Sequence, residues 1–215
     1  MCKDGKAADN TAQVSAVKQV TGNRFLNYFE LEAKNRKGGS FPYYMASRAL
    51  SPEELFMNAP EKGPDGVTIF CVYGPDHGKV VLVRQYRYAV GGYVYEFPAG
   101  LVEHGEDIHE AAVREVKEET GLTLNVVRPD PMHERAFFMT DGMTDERCAF
   151  VYGYCEGEPS QEGLEDTESI QVVIADREEV RRILSGELVA ASCAYMLMHF
   201  LHTDEPFSFL EIKDE

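Results

Sequence analysis

Arg114, Glu115, Glu118 and Glu119 crowd a guanidinium and carboxylates into one short stretch, and Glu106 stands just upstream. In a helix, residues 115 and 119 are one turn apart and share a face, with 118 close by. Left alone, this arrangement is unfavourable. Like charges at that spacing repel by roughly 0.2–0.5 kcal/mol per pair, and anions near a helix C-terminus are disfavoured by roughly 0.3–1 kcal/mol each. Arg114 can pair with Glu118 but cannot neutralise the whole cluster. A divalent cation would, and carboxylate oxygens are hard ligands that suit Mg2+ or Mn2+ better than zinc. Taken alone, an acidic run is as readily a solvated helix face, so the surrounding pattern has to decide.

The positioning elements are legible around it. Asp107 can N-cap a helix, and Glu110 follows at capping-box spacing. Ile108, Ala112, Val113 and Val116 then predict one apolar face, and Gly121 a left-handed stop. Upstream, residues 67–73 and 79–88 read as a hairpin, and 93–98 as a further strand leading into the helix. Downstream, strands are expected at 124–127, 133–138, 147–154 and 169–174. A helix capped by Asp176 and ended by Gly186 comes next, then a buried helix over 190–202. Before residue 60, strands at 24–33 and 41–48 flank a turn, and Ser51-Pro52 starts a short helix.

Gly100, Glu106, Arg114, Glu115, Val116, Glu118, Glu119, Gly121 and Leu122 stand at the spacing of the Nudix box, with every defining position filled. The chain therefore resembles the Nudix hydrolases, which cleave nucleoside diphosphates linked to another moiety. Residues 83–100, VRQYRYAVGGYVYEFPAG, are also similar to the segment preceding the box in ADP-ribose pyrophosphatases and related nucleoside diphosphate-sugar hydrolases. The resemblance implies an α/β Nudix fold: a mixed β-sheet core flanked by helices as an α-β-α sandwich, after a small N-terminal antiparallel β domain. It implies Mg2+- or Mn2+-dependent hydrolysis of the pyrophosphate bond of ADP-ribose or a related nucleoside diphosphate-sugar. It also implies a homodimer whose N-terminal regions reach over the partner and help build the substrate site.

The same resemblance assigns roles. Glu115 and Glu119, with the main-chain carbonyl of Ala99, bind metal; Glu118 is a further ligand that pairs with Arg114. Glu96 is a carboxylate next to the site, although its alternative is an outward-facing strand residue. Arg87 is expected to hold the diphosphate, because a guanidinium presents a rigid fork to phosphate oxygens. Arg84 alternates to the opposite face of the same strand. Tyr28 and Tyr43 are expected to stack on the base and Arg48 to make a polar contact; the alternative for both tyrosines is strand or interface packing. The catalytic base is expected to be Glu168, just before the strand at 169–174, with Glu165 and then Glu146 as the other choices. The chain departs from ADP-ribose hydrolases at Thr140-Asp141-Gly142, where a Ser-Pro-Gly context is common. That departure leaves the reaction class intact and opens the choice of sugar, so GDP-mannose and other nucleoside diphosphate-sugars are alternatives. A sensor that binds nucleotide-sugars without turnover is a third reading, for which a degraded box would be the usual sign.

The chain's 215 residues suit a core domain plus an appendage, here taken as a loose tail to residue 20, an N-terminal β domain over 21–62 and the Nudix domain over 63–215. The formal net charge of −16, from 37 acidic and 21 basic residues, argues against a nucleic-acid or anionic-membrane partner. The five cysteines form no C-x-x-C pair. With no apolar leader at the N-terminus, a reducing cytoplasm is the expected setting.

Overall fold

The computed structural model describes residues 12–74, 76–164 and 169–210. It divides into two units, one made of the described residues up to Gly63 together with Phe138–Arg147, the other of Pro64–Phe137 and the described residues from Cys148 onward.

The first unit is an antiparallel meander of β1 (Gln13–Gln19), β2 (Asn27–Lys34) and β3 (Ser40–Ser47). The stretch read as a tail thus contains a strand. Its small and polar residues hide the signal, because β1 is exposed along nearly all its length and owes its place to pairing with β2, from Gln13↔Lys34 to Gln19↔Phe29. One sheet face buries Phe29, Leu31 and Met45 with Ala49 and Leu55. Pro52–Glu54 is a 3-10 turn, and Ser51 makes no side-chain cap. Residues 138–147, expected within the Nudix domain, pack here instead. Ala46 N–H donates to the Met143 carbonyl at 3.0 Å, Phe138 meets Phe56 edge-on at 5.0 Å, and Arg147 lies 4.3 Å over the Phe56 ring.

The second unit is built on a mixed sheet. Its strands are β4 (Gly66–Tyr73), β5 (Lys79–Arg87), β6 (Gly92–Glu96), β7 (Ala99–Leu101), β8 (Thr123–Val127), β9 (Phe137–Phe138), β10 (Arg147–Glu156) and β11 (Ile170–Ala175). The central order is β11-β5-β4-β10-β8, with β6 beside β5 and β7 beside β4; β10 runs parallel to β4. The expected strand at 133–138 is a 3-10 turn, Pro131–His133, followed by the two-residue β9. Asp130 caps that turn and Pro131 fixes its first residue, so local turn chemistry overrides the aromatic run.

Helix α1 (Ile108–Thr120) packs on one face and helices α2 (Arg177–Gly186) and α3 (Ala191–Leu201) on the other. β4 shows why: Val67, Ile69 and Cys71 point to α1, while Phe70 and Val72 point to α2 and α3. A strand buried on both faces reads as a continuous apolar run. α2 ends at Gly186 as expected, its last residue, and the chain leaves through Glu187 in extended backbone. Cys71, Cys155 and Cys193 are buried free thiols and Cys148 is half-buried. No helix among the described residues is long and apolar enough to cross a membrane.

The C-terminal segment closes the α2–α3 side. Phe207, 6% exposed, meets Phe70 edge-on at 5.7 Å and Tyr154 at 5.1 Å. Phe207→Ala is expected to cost about 3–5 kcal/mol of stability, the usual range for emptying a buried phenylalanine site. A denaturant titration checks it; a loss under 1 kcal/mol, roughly that of a surface change, would show the segment does not close the core.

Candidate active site

Helix α1 starts where Asp107 Oδ1 accepts the His109 backbone N–H at 3.0 Å and ends at Gly121, whose φ of 73° is left-handed. Ala111, Ala112 and Val116 are fully buried. Val113 is exposed, which corrects its place on the apolar face: it sits about 140° around from Ile108 at ~100° per residue. The buried stripe also carries Glu119, only 3% exposed, and Thr120.

This orientation turns the carboxylates of Glu115 and Glu119 to one spot on β7, which pairs with the start of β4 through Val67↔Gly100 and Thr68↔Ala99. Glu119 Oε2 accepts the Ala99 N–H at 3.2 Å. A Cβ on Gly100 would stand 1.9 Å from the Glu115 carboxyl carbon, so the absence of that side chain makes room for the carboxylate. Both glutamates therefore meet β7 at adjacent residues, Glu119 at the Ala99 N–H and Glu115 at the Gly100 Cα.

Arg114 is the hub beside them. Its Nε and NH2 donate to the two oxygens of Glu106, each at 2.9 Å. Its NH1 donates to Glu115 at 2.7 Å and to Glu118 at 3.1 Å, and NH2 also reaches the Leu101 carbonyl at 3.0 Å. The Arg114 guanidinium, helped by the Glu103 N–H, holds the Glu106 carboxyl below the usual range. Glu106 is thus the main partner of Arg114, ahead of the expected Glu118, because it meets the guanidinium fork with both oxygens. Spacing along the helix favours Glu118; only the folded loop brings Glu106 alongside.

Among the described residues, no three His, Cys, Asp or Glu side chains are gathered tightly enough to hold an ion by themselves. The donor set nevertheless fits a hard cation. Mg2+ keeps several waters and is commonly held by one or two carboxylates plus substrate phosphates. The Glu115–Glu119–Ala99 corner offers oxygen ligands of that kind.

Arg87 and Glu96 form a pair: Arg87 Nε donates to Glu96 Oε2 at 2.8 Å, and NH2 lies 2.6 Å from the same oxygen. Arg84 is on the other face, stacked 4.4 Å over Tyr93 and bonded to Gln171. In the first unit, Tyr28 and Tyr43 do not come together. The register Tyr28↔Ala46 and Leu31↔Tyr43 places them on opposite faces. Tyr43 donates to the Gly142 carbonyl at 2.6 Å, while Tyr28 stacks with Tyr44, with ring centroids 5.9 Å apart and planes 12° apart. Alternation within β3 could have indicated Tyr44, but only once its pairing with β2 was known. Arg48 is held by Glu146 at 2.6 Å, so that glutamate serves an ion pair in the first unit. Glu165 and Glu168 lie outside the described residues. The chain on either side is placed: a Cβ on Gly163 would stand 2.7 Å from the Glu118 carbonyl oxygen, and Ser169 Oγ is 2.8 Å from the Tyr93 hydroxyl.

Comparison with known proteins gives this geometry a family. The NUDIX domain matches residues 62–191, more than half of the chain. The chain belongs to the Nudix family. Among its Nudix relatives, the ADP-ribose pyrophosphatase of Bacillus subtilis is 29% identical over 143 residues, covering 64% of this chain and 72% of the relative. The ADP-ribose pyrophosphatase of Saccharomyces cerevisiae is 37% identical over 92 residues, covering 41% of this chain and 38% of the relative. The chain spans about half the length of the curated relatives it matches first, 54% and 38%. A solved structure described as an ADP compounds hydrolase aligns with a TM-score of 0.61 over 89% of this chain and 92% of that one, at 18% identity. At that identity the likeness establishes the fold.

Proposed function

We propose that this Nudix chain hydrolyses the pyrophosphate bond of ADP-ribose or a related nucleoside diphosphate-sugar in the presence of Mg2+ or Mn2+, releasing a nucleoside monophosphate and a sugar phosphate. The observation that carries the reading is the convergence of Glu115 and Glu119 on adjacent residues of β7, Gly100 and Ala99, beside Arg114. The named activities of the relatives support the substrate class.

Glu115, Glu119 and the Ala99 carbonyl would hold the ion, with Glu118 as a further ligand. When bound, the ion supplies neutralisation of the diphosphate and an acidified water. Arg87 binds the diphosphate, and Glu96 holds the guanidinium in a fixed direction. Arg114 keeps Glu115 and Glu118 in place. Glu168, or Glu165 three residues earlier in the chain, takes the proton of the attacking water. The water oxygen bonds to phosphorus, the bridging P–O bond breaks and the second phosphate leaves. Base stacking falls to Tyr28 with Tyr44. The protein is proposed to act as a homodimer in the cytoplasm; equilibrium sedimentation returning a monomer mass would remove the first part.

The test is hydrolysis of ADP-ribose, ADP-glucose, GDP-mannose and NADH at ~1 mM, the upper end of typical KM values, with products separated by chromatography. AMP and ribose 5-phosphate should appear fastest. Faster release of GMP from GDP-mannose would move the substrate and keep the chemistry. No turnover with either metal would defeat the enzymatic reading.

Arg87→Ala should lower kcat/KM by about 10- to 100-fold, as expected for losing a charge-assisted contact worth about 1.5–3 kcal/mol. Glu96→Gln should cost less, because the guanidinium stays. Steady-state kinetics on both variants decide; equal losses would mean that Glu96 does more than orient Arg87.

A further inference from the structure

His109 is 8% exposed and has no part in the chemistry above, yet charged side chains surround its ring. Nε2 is 2.7 Å from Glu134 Oε1, Nδ1 is 2.7 Å from Arg128 NH1, and Asp107 Oδ1 lies 3.1 Å from Nδ1. Arginine has no acceptor, so Arg128 donates and Nδ1 accepts. The ring proton is therefore on Nε2 and is donated to Glu134. In this tautomer Asp107 takes no proton from the ring; its Oδ1 accepts the His109 backbone N–H. The imidazole is thus a bridge, gripped by Arg128 after β8 and by Glu134 after the 3-10 turn Pro131–His133.

We propose that His109 is a positioning residue for the metal-binding glutamates, acting through Asp107 and the Glu106–Arg114 pair. The inference rests on the metal-site reading given above. His109 precedes Glu115 by about 9 Å along the helix at ~1.5 Å per residue, too far to touch an ion held there. A continuous set of contacts joins them instead. The ring, fixed by Arg128 and Glu134, stands 3.1 Å from Asp107 Oδ1 without bonding it, and so bounds where that carboxylate can lie; Asp107 follows Glu106 in the chain. Both oxygens of Glu106 are held by Arg114, and Arg114 holds Glu115. Glu106 also closes its own loop by accepting the Glu103 N–H at 2.9 Å. A shift of Asp107 therefore moves Glu106 and the guanidinium that sets where the Glu115 carboxylate lies. Glu134, with its side chain 12% exposed, fixes the other end; burial first, and the nearby Glu134 charge second, push the Tyr152 hydroxyl up to about 12.

The test uses His109→Leu, His109→Gln and the double variant His109→Leu/Glu134→Leu in the full chain. Three quantities are read: the Mn2+ dissociation constant by calorimetry, Tm in EDTA, and kcat and KM at saturating Mg2+. His109→Leu should weaken Mn2+ binding about 10-fold, the low end for partners that act through a ligand, while KM at saturating Mg2+ stays within about two-fold, since the ground-state contacts to substrate are untouched. His109→Gln keeps an N–H for Glu134 and an oxygen for Arg128, and should recover most of the affinity. The double variant removes the stranded carboxylate, so it should regain Tm without regaining Mn2+ affinity. A lower Tm with unchanged Mn2+ affinity in His109→Leu, or recovery of both in the double variant, would overturn the proposal and leave a purely structural bridge. A wild-type protein that binds Mn2+ but turns over no nucleotide-sugar defeats the catalytic reading and leaves this one standing. One that binds no Mn2+ removes the metal site and this inference together.

Discussion

Glu119→Gln is expected to lower kcat/KM by at least about 100-fold while leaving Tm nearly unchanged, because a direct ligand should matter more than the 10- to 100-fold typical of partners that act through a ligand. Glu119 is nearly excluded from water and accepts the Ala99 N–H. A glutamine can still accept that hydrogen bond through its amide oxygen, so the local backbone has no reason to move. What disappears is the negative charge, and with it the attraction for a cation. The measurement is kcat/KM across a Mg2+ titration, with thermal unfolding in EDTA alongside. Activity at wild-type level in this variant would falsify the assignment of Glu119 as a metal ligand. A large fall in Tm would instead show that the buried carboxylate is structural.

Gly100→Ala should be nearly as damaging and for a different reason. Its Cβ would fall 1.9 Å from the Glu115 carboxyl carbon and 2.0 Å from Oε1. The carboxylate must then leave the Ala99–Gly100 corner or β7 must move off β4, where Gly66 is already close: a Cβ there would stand 2.7 Å from the Gly100 carbonyl oxygen. Overpacking of this kind costs roughly 1–3 kcal/mol. Metal affinity should drop with it, since Glu115 is displaced even where the fold survives. Calorimetry with Mn2+ and a denaturant titration separate the two effects. Unchanged metal affinity in Gly100→Ala would mean that Glu115 binds no ion at this corner.

Much of this site is legible in the chain because the chemistry is local. Asp107 caps α1 by its own side chain, Gly121 ends it by its own φ, and the box glutamates share a face through helical spacing alone. The hairpin strands β4 and β5 announce themselves as apolar runs, since burial on both faces leaves no polar alternation to blur them. Where a property depended on a partner strand, the reading failed or stayed open. β1 is an unremarkable polar sequence until β2 pairs with it. Residues 138–147 lie between box and β10 in sequence, but their aromatic and backbone contacts are with the first unit.

The sequence by itself determined the family, the α/β architecture and the identity of the acidic cluster, because a box of fixed spacings is written within one helix and the loop before it. The tertiary structure alone decided the rest. It made Glu106 the main partner of Arg114, brought Glu119 and Glu115 to adjacent residues of β7, and paired Arg87 with Glu96. It also set Tyr28 against Tyr44 and Tyr43 on the opposite face. Each of these depends on which strand lies beside which and in what register, and a one-residue change of register reverses every side chain's face. That information is set by the packing of distant segments, so no window of the chain contains it.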